Sequence, residues 1–138
     1  MKKFLSLFTA LLVVFSSFAD PAIVTKKFKV ANFKSIELGS AFDVHIHKGN
    51  VYSVSVTGRE KDIDELDVTT SSGKLEISYE SSWNWGWNNN RSKIVINITL
   101  PRLETGEFGG ACKVDLTGFS NEEEMRLYFS GAVKGSAE

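Results

Sequence analysis

The 138-residue chain has one cysteine, two prolines and two histidines, and each scarcity excludes something. A lone Cys112 cannot make an internal disulfide, and no Cys/His set has the spacing of a zinc finger. No metal or other cofactor is expected. No segment beyond residue 19 sustains the 3.6-residue apolar period of a long amphipathic helix. There is no Gly-x-Ser-x-Gly elbow. Gly109-Gly110 precedes no helix bearing Lys-Ser/Thr, so it is not a phosphate loop. Charge of one sign is also lacking, with 16 basic residues against 17 acidic ones. Nucleic acids and anionic membranes attract clustered positive charge, so neither is expected as a partner.

The chain has one long apolar run, Phe4 to Phe15, behind Lys2 and Lys3 and ahead of Ser17-Phe18-Ala19. This pattern predicts a secretory signal peptide over residues 1–19, with Asp20 as the mature start. The run is shorter than the ~20 residues of a membrane span, and no second run could cross a bilayer. No cysteine follows the cleavage site to carry a lipid. Without Lys2 and Lys3 the basic residues number 14 against 17 acidic ones, a net charge of −3. The remaining 20–138 is long enough for one domain.

What is present is alternation. Phe42, Val44 and Ile46 face one way, and Asp43, His45 and His47 the other, the period-2 pattern of a half-buried strand. Tyr52, Val54 and Val56 repeat it, as do Leu75, Ile77 and Tyr79, and most cleanly Ile94, Ile96, Ile98 and Leu100. Pro21 to Lys27 reads as a leader into the first strand. Ser71-Ser72-Gly73 reads as a turn. The charge-rich stretch from Gly58 to Asp67, with Ile63 and Leu66 three apart, predicts a short helical turn.

A repeat runs through the last third. Phe108-Gly109-Gly110-Ala111-Cys112-Lys113 returns as Phe129-Ser130-Gly131-Ala132-Val133-Lys134, and a looser copy stands at Leu38-Gly39-Ser40-Ala41-Phe42-Asp43. Such a period with strand-like flanks predicts stacked coils with small residues at their corners. The aligned column of Phe42, Cys112 and Val133 is apolar, so Cys112 is expected in the core as an inert small hydrophobe.

In order along the chain, Asn32-Phe33-Lys34-Ser35-Ile36, Phe42 to Gly49, Val54-Ser55-Val56-Thr57-Gly58, Gly73-Lys74-Leu75-Glu76-Ile77 and Val95 to Pro101 lead into the Gly-Gly-Ala and Ser-Gly-Ala corners. This ordered set resembles the auto-transporter adhesin head GIN domain family, from about Lys27 to the end. The resemblance implies an all-β fold, a right-handed parallel β-helix-like solenoid, and export to the periplasm, the outer-membrane surface or the extracellular space, as in Bacteroidetes-type bacteria. It brings no agreed catalytic residues. Family domains usually continue for several more coils, so the expectation is a solenoid lacking its C-terminal coils. Its open edge, bearing Leu127, Phe129 and Val133, either self-associates or is covered in a longer gene product.

Two clusters are candidates for function. Asp43, His45 and His47 share one strand face and combine carboxylate with imidazole, a weak candidate metal set. An ordinary polar strand face explains them more simply. Trp83, Trp85 and Trp87 share a face if extended, and Asn84 and Asn88 add amides. Flat aromatic platforms with amide neighbours suit sugar rings or a partner protein, whereas indoles folded back on the domain are the plainer explanation. No grouped carboxylates point to catalysis, since Asp115 and Glu107 find no reinforcement in the neighbouring repeat. The reading is a non-catalytic surface or envelope interaction domain, an adhesin-type module for an unknown glycan or protein. The alternative is a carbohydrate-binding or carbohydrate-active β-helix protein.

Overall fold

A computed structural model describes residues 20–80 and 91–138. The expected signal peptide (1–19) and the Trp/Asn segment (81–90) lie outside the described residues. The elements in chain order are β1 (Ile23–Phe28), β2 (Ser35–Leu38), β3 (Phe42–Lys48), β4 (Ser53–Arg59), α1 (Glu60–Asp64), β5 (Leu66–Ser71), β6 (Lys74–Tyr79), β7 (Ile94–Leu100), β8 (Thr105–Phe108), β9 (Lys113–Thr117), β10 (Arg126–Phe129) and β11 (Lys134–Ala137). The alternation set these strands. Ile94, Ile96, Ile98 and Leu100 are fully buried, while Val95, Asn97 and Thr99 between them are only half-buried. The charge-rich stretch forms the short helix α1, as its pattern predicts. The expected leader is itself strand for most of its length, because β1 pairs antiparallel with β4 from Ile23↔Arg59 to Phe28↔Val54.

The strands form two sheets. The six-stranded sheet has the order β1-β4-β7-β3-β9-β11 and the five-stranded sheet the order β10-β8-β2-β6-β5. One apolar cluster joins them, with Val44, Ile46, Val54, Val56 and the β7 residues from the larger sheet, and Ile36, Leu38, Leu75, Ile77 and Phe108 from the smaller. The rings of Phe42 on β3 and Tyr79 on β6 meet across it at 5.6 Å.

The right-handed parallel β-helix-like solenoid expected from the repeat and the resemblance is not what the chain forms, and missing coils of a solenoid therefore do not describe it either. Both sheets are mixed. The pairs β1/β4, β4/β7 and β5/β6 are antiparallel, and β7 inserts between antiparallel β4 and parallel β3. A solenoid would instead advance one coil at a time with every neighbour parallel. For the β5/β6 pair the physical reason is local. Ser72 (φ 51°) and Gly73 (φ 75°) place two consecutive residues in the left-handed region, which closes a two-residue hairpin between β5 and β6.

The repeat still has a structural counterpart. In β8 and β10, Thr105 pairs with Arg126 and Phe108 with Phe129; in β9 and β11, Lys113 pairs with Lys134. The corners stack as well: the amides of Gly109, Ser130 and Ala132 donate to the carbonyls of Leu38, Phe108 and Gly110 at 2.8, 2.9 and 2.9 Å. Cys112 is 1% exposed, and its Sγ–H is directed at the Ser40 carbonyl. Since Lys113 pairs with both Asp43 and Lys134, Cys112 stands one residue earlier in the same column, between Phe42 and Val133.

Candidate functional site

The outward face of the larger sheet carries the first cluster. Alternation turns Asp43 and His45 away from the core on β3, and the parallel register with β9 sets Lys113 beside Asp43 and Asp115 beside His45. The next strand brings Ser136 beside Asp115. His45 lies between two carboxylates, its Nε2 3.4 Å from Asp43 Oδ1 and its Nδ1 3.3 Å from Asp115 Oδ2. Lys93 Nζ is 2.6 Å from Asp43 Oδ2, and Lys113 Nζ is 3.4 Å from Asp115 Oδ2. Ser136 Oγ donates to Asp115 Oδ1.

This arrangement keeps both acids ionised. The hydrogen bond from Lys93, with the positive charges around it, holds the Asp43 carboxyl below its ordinary value against the opposing effect of burial. The Ser136 hydrogen bond and Lys113 do the same for Asp115. Donor atoms of Asp43, His45 and Asp115 all lie within 4.8 Å of one another. Of the three residues grouped from sequence, then, two are brought together. His47 is exposed and stands one row further on, beside Thr99 and Thr117. Asp115 replaces it. The aligned copies Phe42-Asp43-Val44-His45 and Cys112-Lys113-Val114-Asp115 held the signal, because matching them sets Asp115 level with His45.

The outward face of the smaller sheet holds a feature that sequence reasoning missed. Glu76, Glu37 and Glu107 occupy one row across β6, β2 and β8. Lys74 Nζ is paired with the central Glu37, and that carboxylate is the main cause holding the Lys74 ammonium above its ordinary pKa. Like charges placed directly opposite repel, and a lysine among them offsets part of that cost.

Trp83, Asn84, Trp85, Trp87 and Asn88 lie outside the described residues, but the residues that flank their segment are described. The Arg91 guanidinium carbon sits 3.9 Å from the Tyr79 ring centroid, a cation–π stack that brings departure and return together. Beside it, the buried Asp62 accepts hydrogen bonds through Oδ2 from Ser92 N at 2.9 Å, Ser92 Oγ at 2.6 Å and Arg59 Nε at 2.8 Å. Burial alone would raise the Asp62 pKa, but these donors outweigh it and leave the carboxyl below its ordinary value. Tyr79 on one side of the segment and Arg91 and Ser92 on the other are thus held by contacts among described residues.

These features define a two-sheet β-domain whose ionisable clusters stand on the outer faces of its sheets. The family model described as "Putative auto-transporter adhesin, head GIN domain" matches residues 32–138. The chain belongs to that family. Among solved structures it is similar to a "putative adhesin" from Bacteroides fragilis, with 19% identity and a TM-score of 0.68, covering 86% of this chain and 53% of that one. A "putative lipid binding protein" from Parabacteroides distasonis shares 22% identity at a TM-score of 0.63, covering 83% and 50%. A "putative adhesin" from Parabacteroides merdae shares 12% at 0.61, covering 83% and 52%. At these identities the likeness shows the fold. The chain spans about half the length of each of these structures. No match was found among curated proteins. Among the described residues no helix is long and apolar enough to cross a membrane.

Proposed function

We propose that the chain is an exported, non-catalytic interaction domain of adhesin type, working in the periplasm, at the outer-membrane surface or outside the cell. Its contact surface is the segment 81–90, with Trp83, Trp85 and Trp87 as aromatic platforms and Asn84 and Asn88 as hydrogen-bonding neighbours. The observation that supports this reading is that the Tyr79–Arg91 stack and the Asp62–Ser92 hydrogen bonds hold the residues on either side of the segment. Stacking of an aromatic ring contributes roughly 0.5–1.5 kcal/mol beyond its area burial. Loss of three rings therefore weakens binding greatly while the strands keep their own apolar faces.

The test is the triple change of Trp83, Trp85 and Trp87 to Ala, read on a glycan array, on cell surfaces and by thermal melting. Binding lost with melting unchanged supports the reading. A large fall in melting temperature with binding per folded molecule unchanged shows that the indoles are core and refutes it.

A second reading, a carbohydrate-binding or carbohydrate-active domain, draws on the Glu76–Glu37–Glu107 row. Neighbouring strands are ~4.8 Å apart, near the roughly 5–5.5 Å between the two carboxyl groups of retaining glycosidases. Release of sugar from any array glycan, abolished by Glu37→Gln, would favour it. One structural neighbour is named as lipid-binding, so lipid vesicles belong in the same screen.

A further inference from the structure

We propose that Asp43, His45 and Asp115 form a binding site for a transition-metal dication of the zinc class on the outer face of the larger sheet. The donor set is one imidazole nitrogen and two carboxylate oxygens, a combination that suits zinc and its first-row neighbours and discriminates against calcium and magnesium, which prefer all-oxygen shells. The three donor atoms already lie within 4.8 Å of one another. Metal–ligand bonds of about 2.0–2.2 Å place donor atoms ~3–4 Å apart, a spacing that Asp43 Oδ1 and His45 Nε2 already have, while the Asp115 carboxylate turns from the Nδ1 side of the ring toward the same ion.

A second observation, independent of the clustering, points to a cation. Asp43 is 9% exposed. Its Oδ2 is held by Lys93, but its Oδ1 is fully enclosed and accepts no hydrogen bond, while lying 3.4 Å from His45 Nε2. A buried acceptor left without a donor is costly, and buried polar atoms are almost always satisfied by protein, water or an ion. A dication between Oδ1 and the imidazole satisfies it while Lys93 stays on Oδ2. Lys113 is the competing cation on Asp115, but its side chain is 60% exposed and its 3.4 Å contact is loose, so it swings into solvent at little cost. Ser136, donating to Asp115 Oδ1, leaves Oδ2 to face the ion. With three protein donors, water completes the shell.

The experiment uses the full chain with Zn²⁺ and Co²⁺ as probes, by titration calorimetry and by the visible absorption of bound Co²⁺. The expected result is one equivalent per chain, a cobalt band that Zn²⁺ displaces, and no competition by excess Ca²⁺ or Mg²⁺. His45→Ala and Asp115→Asn each weaken binding at least tenfold, whereas His47→Ala leaves it unchanged. His45 and Asp115 are both partly exposed, so their variants are expected to fold, and thermal melting without metal checks this. Absence of a cobalt band overturns the proposal. So does binding that survives both variants, or binding lost in His47→Ala instead.

Discussion

Replacing Asp62 by Ala tests the physical account of the contacts that flank the Trp segment. Asp62 is 2% exposed, and one of its oxygens receives three donors, from Ser92 N, Ser92 Oγ and Arg59 Nε. Hydrogen bonds to a charged group contribute about 1.5–3 kcal/mol each. Three converging on one oxygen are not additive, so a loss of about 3–4 kcal/mol is expected for Asp62→Ala. For a chain of this size, ~4 °C per kcal/mol puts the fall in Tm at roughly 12–16 °C. Asp62→Asn keeps an acceptor for Ser92 and should cost about half as much. The carboxyl titrates below its ordinary value, so its stabilising effect is fully present above that value and is lost as pH falls through the lower, folded-state pKa. The difference in Tm between wild type and Asp62→Asn should therefore be constant near neutrality and shrink in acid. Thermal melts followed by circular dichroism over a pH series measure all three. A fall below ~4 °C for Asp62→Ala, the equivalent of about 1 kcal/mol, would refute the reasoning, since desolvation of the carboxylate would then have cancelled its hydrogen bonds.

Further expectations follow from the stacked corners and the open edge. Gly131 has φ +83°, and a Cβ there would stand 2.6 Å from the Gly110 carbonyl oxygen, whereas one at Gly39 would meet nothing within 4 Å. Gly131→Ala should therefore cost about 2–4 kcal/mol through the left-handed backbone and the clash, and Gly39→Ala roughly 0.5 kcal/mol or less, as measured by urea denaturation; equal effects would count against the stacking. Cys112, buried against the Ser40 carbonyl, should react with a thiol reagent only as fast as the protein unfolds, and rapid labelling of the native chain would contradict its place in the core column. Among the described residues β10 pairs only with β8 and β11 only with β9, leaving Phe129 49% exposed in a recess of about 310 Å³ that it lines with Leu116, Leu127 and Val133. That edge is expected either to self-associate or to be covered in a longer gene product, so analytical ultracentrifugation of this chain should show concentration-dependent self-association that Phe129→Glu abolishes; a monomer at high concentration would count against an edge left open.

Much of the local structure was legible in the sequence. The buried sets Val44/Ile46, Leu75/Ile77 and Ile94 to Leu100 follow from alternation alone, and the helical turn at α1 follows from its charge and the spacing of Ile63 and Leu66. The repeat correctly aligned Phe42, Cys112 and Val133. Pairing partners were not legible. Alternation says which face a residue takes but not which strand lies beside it or in which direction, so the antiparallel β4/β7 and β1/β4 pairs had no signature of their own. The repeat, confined to the C-terminal third with one loose early copy, marks stacked corners there and carries no information on β1, β4 and β5, where the antiparallel pairs stand. The same gap explains the site. His47 shares a strand with His45, whereas Asp115 reaches His45 only through the pairing of strands distant in the chain.

The mixed order of the sheets also governs when each strand finds a neighbour. The strands at the centre of both sheets, β2 and β3, are among the first made, yet every partner they have comes later: β6 and β8 for one, β7 and β9 for the other. As the chain emerges, β3 stays unpaired until residues 94–100 arrive with β7, and the whole 81–90 segment must pass before that ladder can zip. Loops that long must close before their contacts repay the entropy, which slows folding and leaves apolar edges exposed meanwhile. Slow refolding is the expected consequence of this topology. The β1–β4 ladder and the hairpin β5–β6, closed by Ser72-Gly73, can form early, and β6 then presents the first edge on which β2 can settle.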